Sequence, residues 1–143
     1  CTFANCELTM TRMVRTSIRE CTFVNCKLLG VSFDHGKTNL FSAAFTECLM
    51  DSCSFQGMSL QHATFTGCRM HGVEFSGADV SGVAFDRCDL SDAVFVDCDL
   101  RGSDFRTALG FTLDPELNRM KGARFSLDGL QGLLAKYGIT VEP

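Results

Sequence analysis

Cys88-Asp89-Leu90-Ser91-Asp92-Ala93-Val94-Phe95-Val96-Asp97-Cys98-Asp99-Leu100-Arg101-Gly102 sets a large apolar residue at every fifth position. The beat runs without a slip from Thr38 to Thr107, through Leu40, Phe45, Met50, Phe55, Leu60, Phe65, Met70, Phe75, Val80, Phe85, Leu90, Phe95, Leu100 and Phe105. A period of five fits neither the 3.6 of a helix nor the 2.0 of a strand, so an internal repeat takes precedence over the usual reading of hydrophobic periodicity. Two positions ahead of each large residue stands a smaller one, and most of those between Cys48 and Cys98 are cysteine or alanine.

The unit is therefore a small residue, a polar residue, Leu or Phe, and two more polar or small residues, as in Cys88-Asp89-Leu90-Ser91-Asp92. This resembles the pentapeptide-repeat family. The resemblance implies an all-β fold, a right-handed quadrilateral β-helix with four pentapeptides to a coil, in which the central residue and the small one both point inward.

Phasing the chain in twenties supports that geometry. One face then stacks Phe3, Phe23, Phe45, Phe65, Phe85 and Phe105, and the next Leu8, Leu28, Met50, Met70 and Leu90. The third stacks Met13, Phe33, Phe55, Phe75 and Phe95, and the fourth Ile18, Leu40, Leu60, Val80 and Leu100. Two opposed faces are mostly phenylalanine and two mostly aliphatic, as stacked ladders of like side chains require.

A chain of 143 residues is one domain's worth, and its 45% hydrophobic residues include no run long enough to cross a membrane. A soluble protein is expected. Cys1 begins in mid-pattern, without a charged leader or a capping element over the open end of the stack, which predicts further chain upstream. Nine cysteines in a small chain would ordinarily suggest a disulfide framework. Here Cys1, Cys6, Cys21, Cys26, Cys48, Cys53, Cys68, Cys88 and Cys98 all take the small inward position, and Cys6, Cys26, Cys48, Cys68 and Cys88 share one face. Buried cysteine acts as a small hydrophobe. Reduced thiols filling space are expected, in keeping with a cytoplasmic location. A single-file column does not converge tetrahedrally on zinc, and no metal or cofactor is expected.

Two segments follow. Residues 1–107 form the β-helix, with a two-residue insertion at Gly36-Lys37 where Phe33 and Leu40 stand seven apart. That insertion reads as a corner bulge, or alternatively as a binding loop. Residues 108–143 form a C-terminal capping or dimerisation segment. Asp114-Pro115-Glu116 reads as a helix start, and Ala123-Arg124-Phe125 is a last repeat-like triplet. Ser126 is placed to cap an α-helix over about 127–137, closed by Gly138. Leu127, Leu130, Leu133, Leu134 and Tyr137 make one apolar face, either a plain cap or a homodimer contact through Leu130, Leu133, Leu134 and Tyr137.

No catalytic constellation is present. His35, His62 and His71 are predicted to point outward on different faces or coils, and none of the familiar nucleotide, zinc-protease or nucleophile-elbow motifs occurs. A convex rod also offers no obvious pocket. The chain is not expected to be an enzyme.

Charge is uneven. Residues 1–37 carry Arg12, Arg15, Arg19, Lys27 and Lys37 against Glu7, Glu20 and Asp34, a local +2, whereas residues 38–107 carry ten acids against four arginines, a local −6. The acids thicken as Asp86, Asp89, Asp92, Asp97, Asp99 and Asp104, spread over all four faces. Such a rod repels phosphates, so direct nucleic-acid binding is disfavoured. Complementary potentials suit it to a basic, DNA-binding protein surface.

The stretch Leu113-Asp114-Pro115-Glu116-Leu117-Asn118-Arg119 and the Tyr-Gly-Ile-Thr-Val ending resemble the gyrase-protecting members, the microcin immunity and quinolone-resistance proteins. That resemblance implies a non-enzymatic DNA mimic acting on DNA gyrase or topoisomerase IV, as a homodimer joined through its C-terminal helix. The residues alone equally allow a scaffold or protein-interaction module with an unrelated partner, the acids serving only to keep a stacked rod in solution.

Overall fold

The computed structural model describes residues 1–11, 13, 17–34 and 41–142. They form a right-handed quadrilateral β-helix. Strands β1 (Thr2–Ala4), β2 (Cys21–Val24), β3 (Ala43–Thr46), β4 (Ala63–Thr66) and β5 (Phe85–Asp86) make one parallel sheet in the order β1-β2-β3-β4-β5. Their register aligns Phe3, Phe23, Phe45, Phe65 and Phe85. The other sides of the square are held by single parallel bridges, such as Ser54↔Glu74↔Val94 and Asp79↔Asp99↔Arg119.

One repeat shows how the coil is closed. Ala78 N–H turns back to the Phe75 carbonyl (2.8 Å), Asp79 N–H donates to Met58 in the preceding coil (2.9 Å), and Val80 and Gly82 N–H donate to Asp99 and Arg101 in the following one (both 3.0 Å). Four of the five amides are thereby used by backbone partners. The last residue of the repeat turns the corner with positive φ, for example 72° at Gly82, 53° at Asn25 and 60° at Asp92. Glycine takes this left-handed conformation without a steric penalty, and asparagine and aspartate tolerate it.

The core is built on the two phenylalanine ladders. Rings of Phe3, Phe23, Phe45, Phe65, Phe85, Phe105 and Phe125 stack with centroids 5.0–5.6 Å apart. Phe33, Phe55, Phe75 and Phe95 stack on the opposite side at 4.9–5.7 Å. The ladders meet edge to face through the middle of the rod, as in Phe55–Phe65 at 5.8 Å and Phe75–Phe85 at 5.7 Å. That is the favourable alternative to stacking for aromatic quadrupoles. Leu28, Met50, Met70 and Leu90, with Ile18, Leu60, Val80 and Leu100, fill the two aliphatic sides and are buried.

Register locates the extra residues. Bridges Lys27↔Leu49 and Ser32↔Ser54 span 22 residues where Leu49↔Arg69 and Ser54↔Glu74 span 20. Gly36 and Lys37 themselves, with His35 and Leu40, lie outside the described residues. Phe41, one position past the beat, is buried and sits edge-on to Phe33 and Phe55, so an outward position by the simple repeat here supplies a further core ring.

The stack continues beyond Thr107. Asp99↔Arg119 and Asp104↔Arg124 bridge the last coil to its predecessor, and Phe125 completes the first ladder. Between Leu113 and Asn118 a 3-10 turn, Pro115–Leu117, takes the place of a regular repeat, with the Asp114 carboxylate accepting from Glu116 N–H. Phe111 packs against Phe105 and Phe125 at 5.3 and 5.7 Å.

The cap then crosses the end of the rod. It is helical, but as 3-10 segments Asp128–Leu133 and Ala135–Tyr137 rather than the α-helix expected over 127–137. Gly129 and Gly132 are poor α-formers, and the three-residue spacing of Leu127, Leu130 and Leu133 suits three residues per turn. Ser126 Oγ accepts from Gly129 N–H at 3.1 Å.

Lys136 ties the cap to the preceding turn, donating to Asp114 Oδ1 at 2.8 Å and Glu116 Oε2 at 2.7 Å. The hydrogen bond from Lys136 holds the Asp114 carboxyl below its ordinary value. The sign is that of a depressed carboxylate: the tie contributes fully above the unfolded value of about 3.9 and is lost as pH falls through the lower folded one. Tyr137 is the only tyrosine in a chain without tryptophan, and its ring lies 5.0 Å from Lys136 Nζ. Its fluorescence is expected to stay constant from pH 7 to about 4 and change below, with Lys136→Ala showing the acid signal already at pH 7. A flat profile in both proteins would remove the tie.

Candidate interaction surface

The charged side chains sit where the repeat leaves the backbone unfinished. In five of the units the amide of the residue after the central one is served by a carboxylate two residues earlier, on the same side of the strand, rather than by the backbone. Ser76 N–H donates to Glu74 (3.0 Å), Ser81 N–H to Asp79 (3.0 Å), Ser91 N–H to Asp89 (3.1 Å), Arg101 N–H to Asp99 (3.2 Å) and Arg106 N–H to Asp104 (2.9 Å). An acid just before the central residue thus holds its own strand in the extended form.

Several of these acids are also neutralised. Arg101 donates through Nε and Nη2 to the two oxygens of Asp99 at 2.9 and 2.7 Å, and Arg106 does the same to Asp104 at 3.1 and 2.9 Å. These bonds hold both carboxyls below the usual range. Burial raises the Asp89 carboxyl, but hydrogen bonds from His71 Nε2 (2.6 Å) and Ser91 outweigh it and the net direction is down. Asp51 on the same side pairs with Arg69 at 2.8 Å. Such half-exposed pairs add little stability individually. Their effect is on the surface potential, which they flatten.

The six acids singled out from the sequence therefore divide into three kinds. Asp89, Asp99 and Asp104 are the strand-holding carboxylates described above. Asp86 accepts from Thr107 Oγ1 at 3.2 Å and lies 3.8 Å from Arg87. Asp92 and Asp97 occupy left-handed corners, with φ of 60° and 55°. The structure does not gather the six into one patch. An open cleft of about 480 Å³ does bring Asp97 and Asp99 together with Asp79, Glu116 and Arg119. Glu116 and Arg119 were not singled out from the sequence, because their convergence depends on the 3-10 turn that replaces a repeat.

Of the expected dimer residues, Leu133 packs partly against the protein's own core, and Leu134 is half-buried. Leu130 and Tyr137 remain 41% and 59% exposed, alongside Leu127, Leu117, Ile139 and Val141. The apolar face of the cap is thus only partly satisfied within the chain. Gly36 and Lys37, the insertion residues, lie outside the described residues. Of the histidines, His62 is exposed and His71 is engaged with Asp89. Among the described residues no three His, Cys, Asp or Glu side chains converge on a point, and no helix is long and apolar enough to cross a membrane.

Comparison with known proteins bears on the fold. No curated protein sequence matches the chain. Among solved structures it is similar to HetL, a pentapeptide repeat protein involved in heterocyst differentiation regulation in the cyanobacterium Nostoc sp. strain PCC 7120. That match has 22% identity over 90% of this chain and a TM-score of 0.45, and this chain spans 62% of HetL's length. A trypsin-treated form of QnrB1, a plasmid-mediated fluoroquinolone resistance protein, matches at 19% identity over 99% of this chain and 97% of its own, with a TM-score of 0.33. Rfr23 from the cyanobacterium Cyanothece 51142 matches at 10% identity over 89% and 82%, with a TM-score of 0.45. The profile of the pentapeptide repeat region matches residues 1–72 and 38–110, which together take in all the regular coils. With a 20-residue register, inward Phe and Leu ladders and a family match along most of its length, the chain belongs to the pentapeptide-repeat proteins.

Proposed function

We propose that this chain is a non-enzymatic binding rod whose partner presents a basic, DNA-binding groove, and that the partner is DNA gyrase or topoisomerase IV, which the rod protects from a quinolone or a peptide toxin. The observation that carries this reading is the local charge of −6 over residues 38–107, displayed on a body of stacked parallel coils. A groove that holds duplex DNA is positive along its length, and a negative rod satisfies it by complementary potential. The exposed Leu127, Leu130 and Tyr137 extend the proposal to a homodimer joined at the caps, which doubles the reach of the rod.

The test is a supercoiling assay with purified gyrase, alone and in the presence of a quinolone. The expected result is inhibition or relief of inhibition that weakens as salt rises. The same preparation should run as a dimer by light scattering and as a monomer after Leu130→Glu. No effect on gyrase in either format would sink the topoisomerase reading, and an unchanged dimer mass would remove the cap from the interface.

A second reading has its own support. Because Asp89, Asp99 and Asp104 each serve a backbone amide, the acids have a structural reason to be present on any such rod. A scaffold or interaction module with a partner unrelated to topoisomerases follows from that. A partner recovered by pull-down that lacks a basic groove would favour it.

A further inference from the structure

The inner wall of one side of the rod is lined by sulfur. Cys6, Cys26, Cys48, Cys68 and Cys88 stand one residue before the bridged positions Glu7↔Lys27↔Leu49↔Arg69↔Asp89, so they occupy the same place in five successive coils. All five are free thiols, Cys6 half-buried and the other four buried. They also aim alike. Cys26 Sγ donates to the Phe3 carbonyl at 3.2 Å, Cys48 to Phe23 at 3.3 Å and Cys68 to Phe45 at 3.3 Å. Space does not demand sulfur here, since Ala63, Ala78 and Ala93 fill the equivalent positions on other sides.

Equal orientation in successive coils sets neighbouring sulfurs one strand spacing apart, about 4.7–4.9 Å. A metal–thiolate bond is about 2.3 Å long, so an ion bonded to two sulfurs in a straight line spans about 4.6 Å. The two lengths agree. Tetrahedral zinc is excluded by the absence of converging ligands among the described residues, but a linear two-coordinate ion needs only a pair. Monovalent soft d10 cations, copper(I) foremost, take thiolate ligands and accept that geometry.

We infer that the Cys6–Cys26–Cys48–Cys68–Cys88 column is a binding site for copper(I), one ion seated between each adjacent pair of sulfurs and entering from the half-buried Cys6 end. Each ion forms two Cu–S bonds, and one S–H bond is broken with its proton released to solvent. No electron is transferred. Exchanging one positive charge for another leaves the buried column neutral with four ions and one remaining thiol proton, which avoids burying net charge. Cys53 and Cys98 have Val31, Val73 and Ala78, Asn118 as their column neighbours, so neither has a sulfur within one rung.

The test is anaerobic titration of the full chain with copper(I) supplied as its acetonitrile complex, read by native mass spectrometry and far-ultraviolet circular dichroism. Cys1→Ser and Cys21→Ser together provide the background, because these two also face each other across one rung. In that background up to four ions are expected, each adding the mass of copper less one proton, with the β signal retained. Cys68→Ala should halve the load to two, since only the Cys6–Cys26 and Cys26–Cys48 gaps survive. Cys98→Ala should leave it at four. The inference is overturned if no copper is retained, if Cys68→Ala still binds four, if Cys98→Ala lowers the number, or if binding abolishes the β signal.

Discussion

Phe55→Ala is expected to lower the unfolding free energy by about 3–5 kcal/mol, the range for deleting a fully buried aromatic side chain. The ring has no solvent exposure and touches five others: it stacks on Phe33 and Phe75 at 4.9 and 5.7 Å and meets Phe41, Phe45 and Phe65 edge-on at 6.2, 6.2 and 5.8 Å. Its loss opens a gap where both ladders meet. Neighbouring coils are fixed by their hydrogen bonds and cannot close in along the axis. Phe3→Ala, in a ring already 36% exposed with one stacking partner, should cost under about 1.5 kcal/mol. Urea unfolding followed by circular dichroism measures both. Similar losses at the two positions would contradict a core organised as continuous ladders.

Gly132→Ala is expected to destabilise the cap by about 1–3 kcal/mol, toward the upper end for an overpacked site. A methyl group added at Gly132 would overlap the Phe111 carbonyl oxygen and press on the Phe111 ring at 3.2 Å. The carbonyl is backbone and cannot rotate away as a side chain would. The cap must therefore lift, breaking the hydrogen bond from Leu113 N–H to the Gly132 carbonyl at 3.1 Å. Gly129→Ala meets the Phe111 ring edge at 2.9 Å, a contact that a small ring shift relieves, and its effect should be smaller. Tyr137 fluorescence reports the lifting directly. Equal stability of Gly132→Ala and the unchanged protein would show that the cap does not seat on Phe111.

The residues foretell the structure unevenly along the chain, for physical reasons. Side chains that face inward are constrained by the coil above and the coil below, so Phe65 and Phe85 announce their common column at a separation of twenty. Outward side chains carry no such constraint, and their role depends on which amides the backbone leaves free. The pairing of Asp79 with Ser81, or Asp99 with Arg101, was present as an acid two residues ahead of Ser or Arg, but it becomes meaningful only once the unfilled amide is known. Phe41 stands one position past the beat, so the five-residue count does not mark it as core, and only the rings of Phe33 and Phe55 beside it show that it belongs there. In the cap, the leucines and the Ser126 cap suit an α-helix as well as a 3-10 one, and Gly129 and Gly132 reveal their purpose only against Phe111.

The equality of the coils has one more consequence. Because Ala63↔Ala43 and Phe65↔Phe45 repeat the pairing that Phe85 makes with Phe65, each coil offers the next one the surface that it received. Length is therefore quantised. A rod of this kind grows or shrinks in steps of twenty residues and one strand spacing, about 4.8 Å, and the 22-residue interval of Ser32↔Ser54 shows that the ladder resumes its register after a departure of two. Evolution along such a chain acts as on a graduated ruler, adding marks without redrawing the scale.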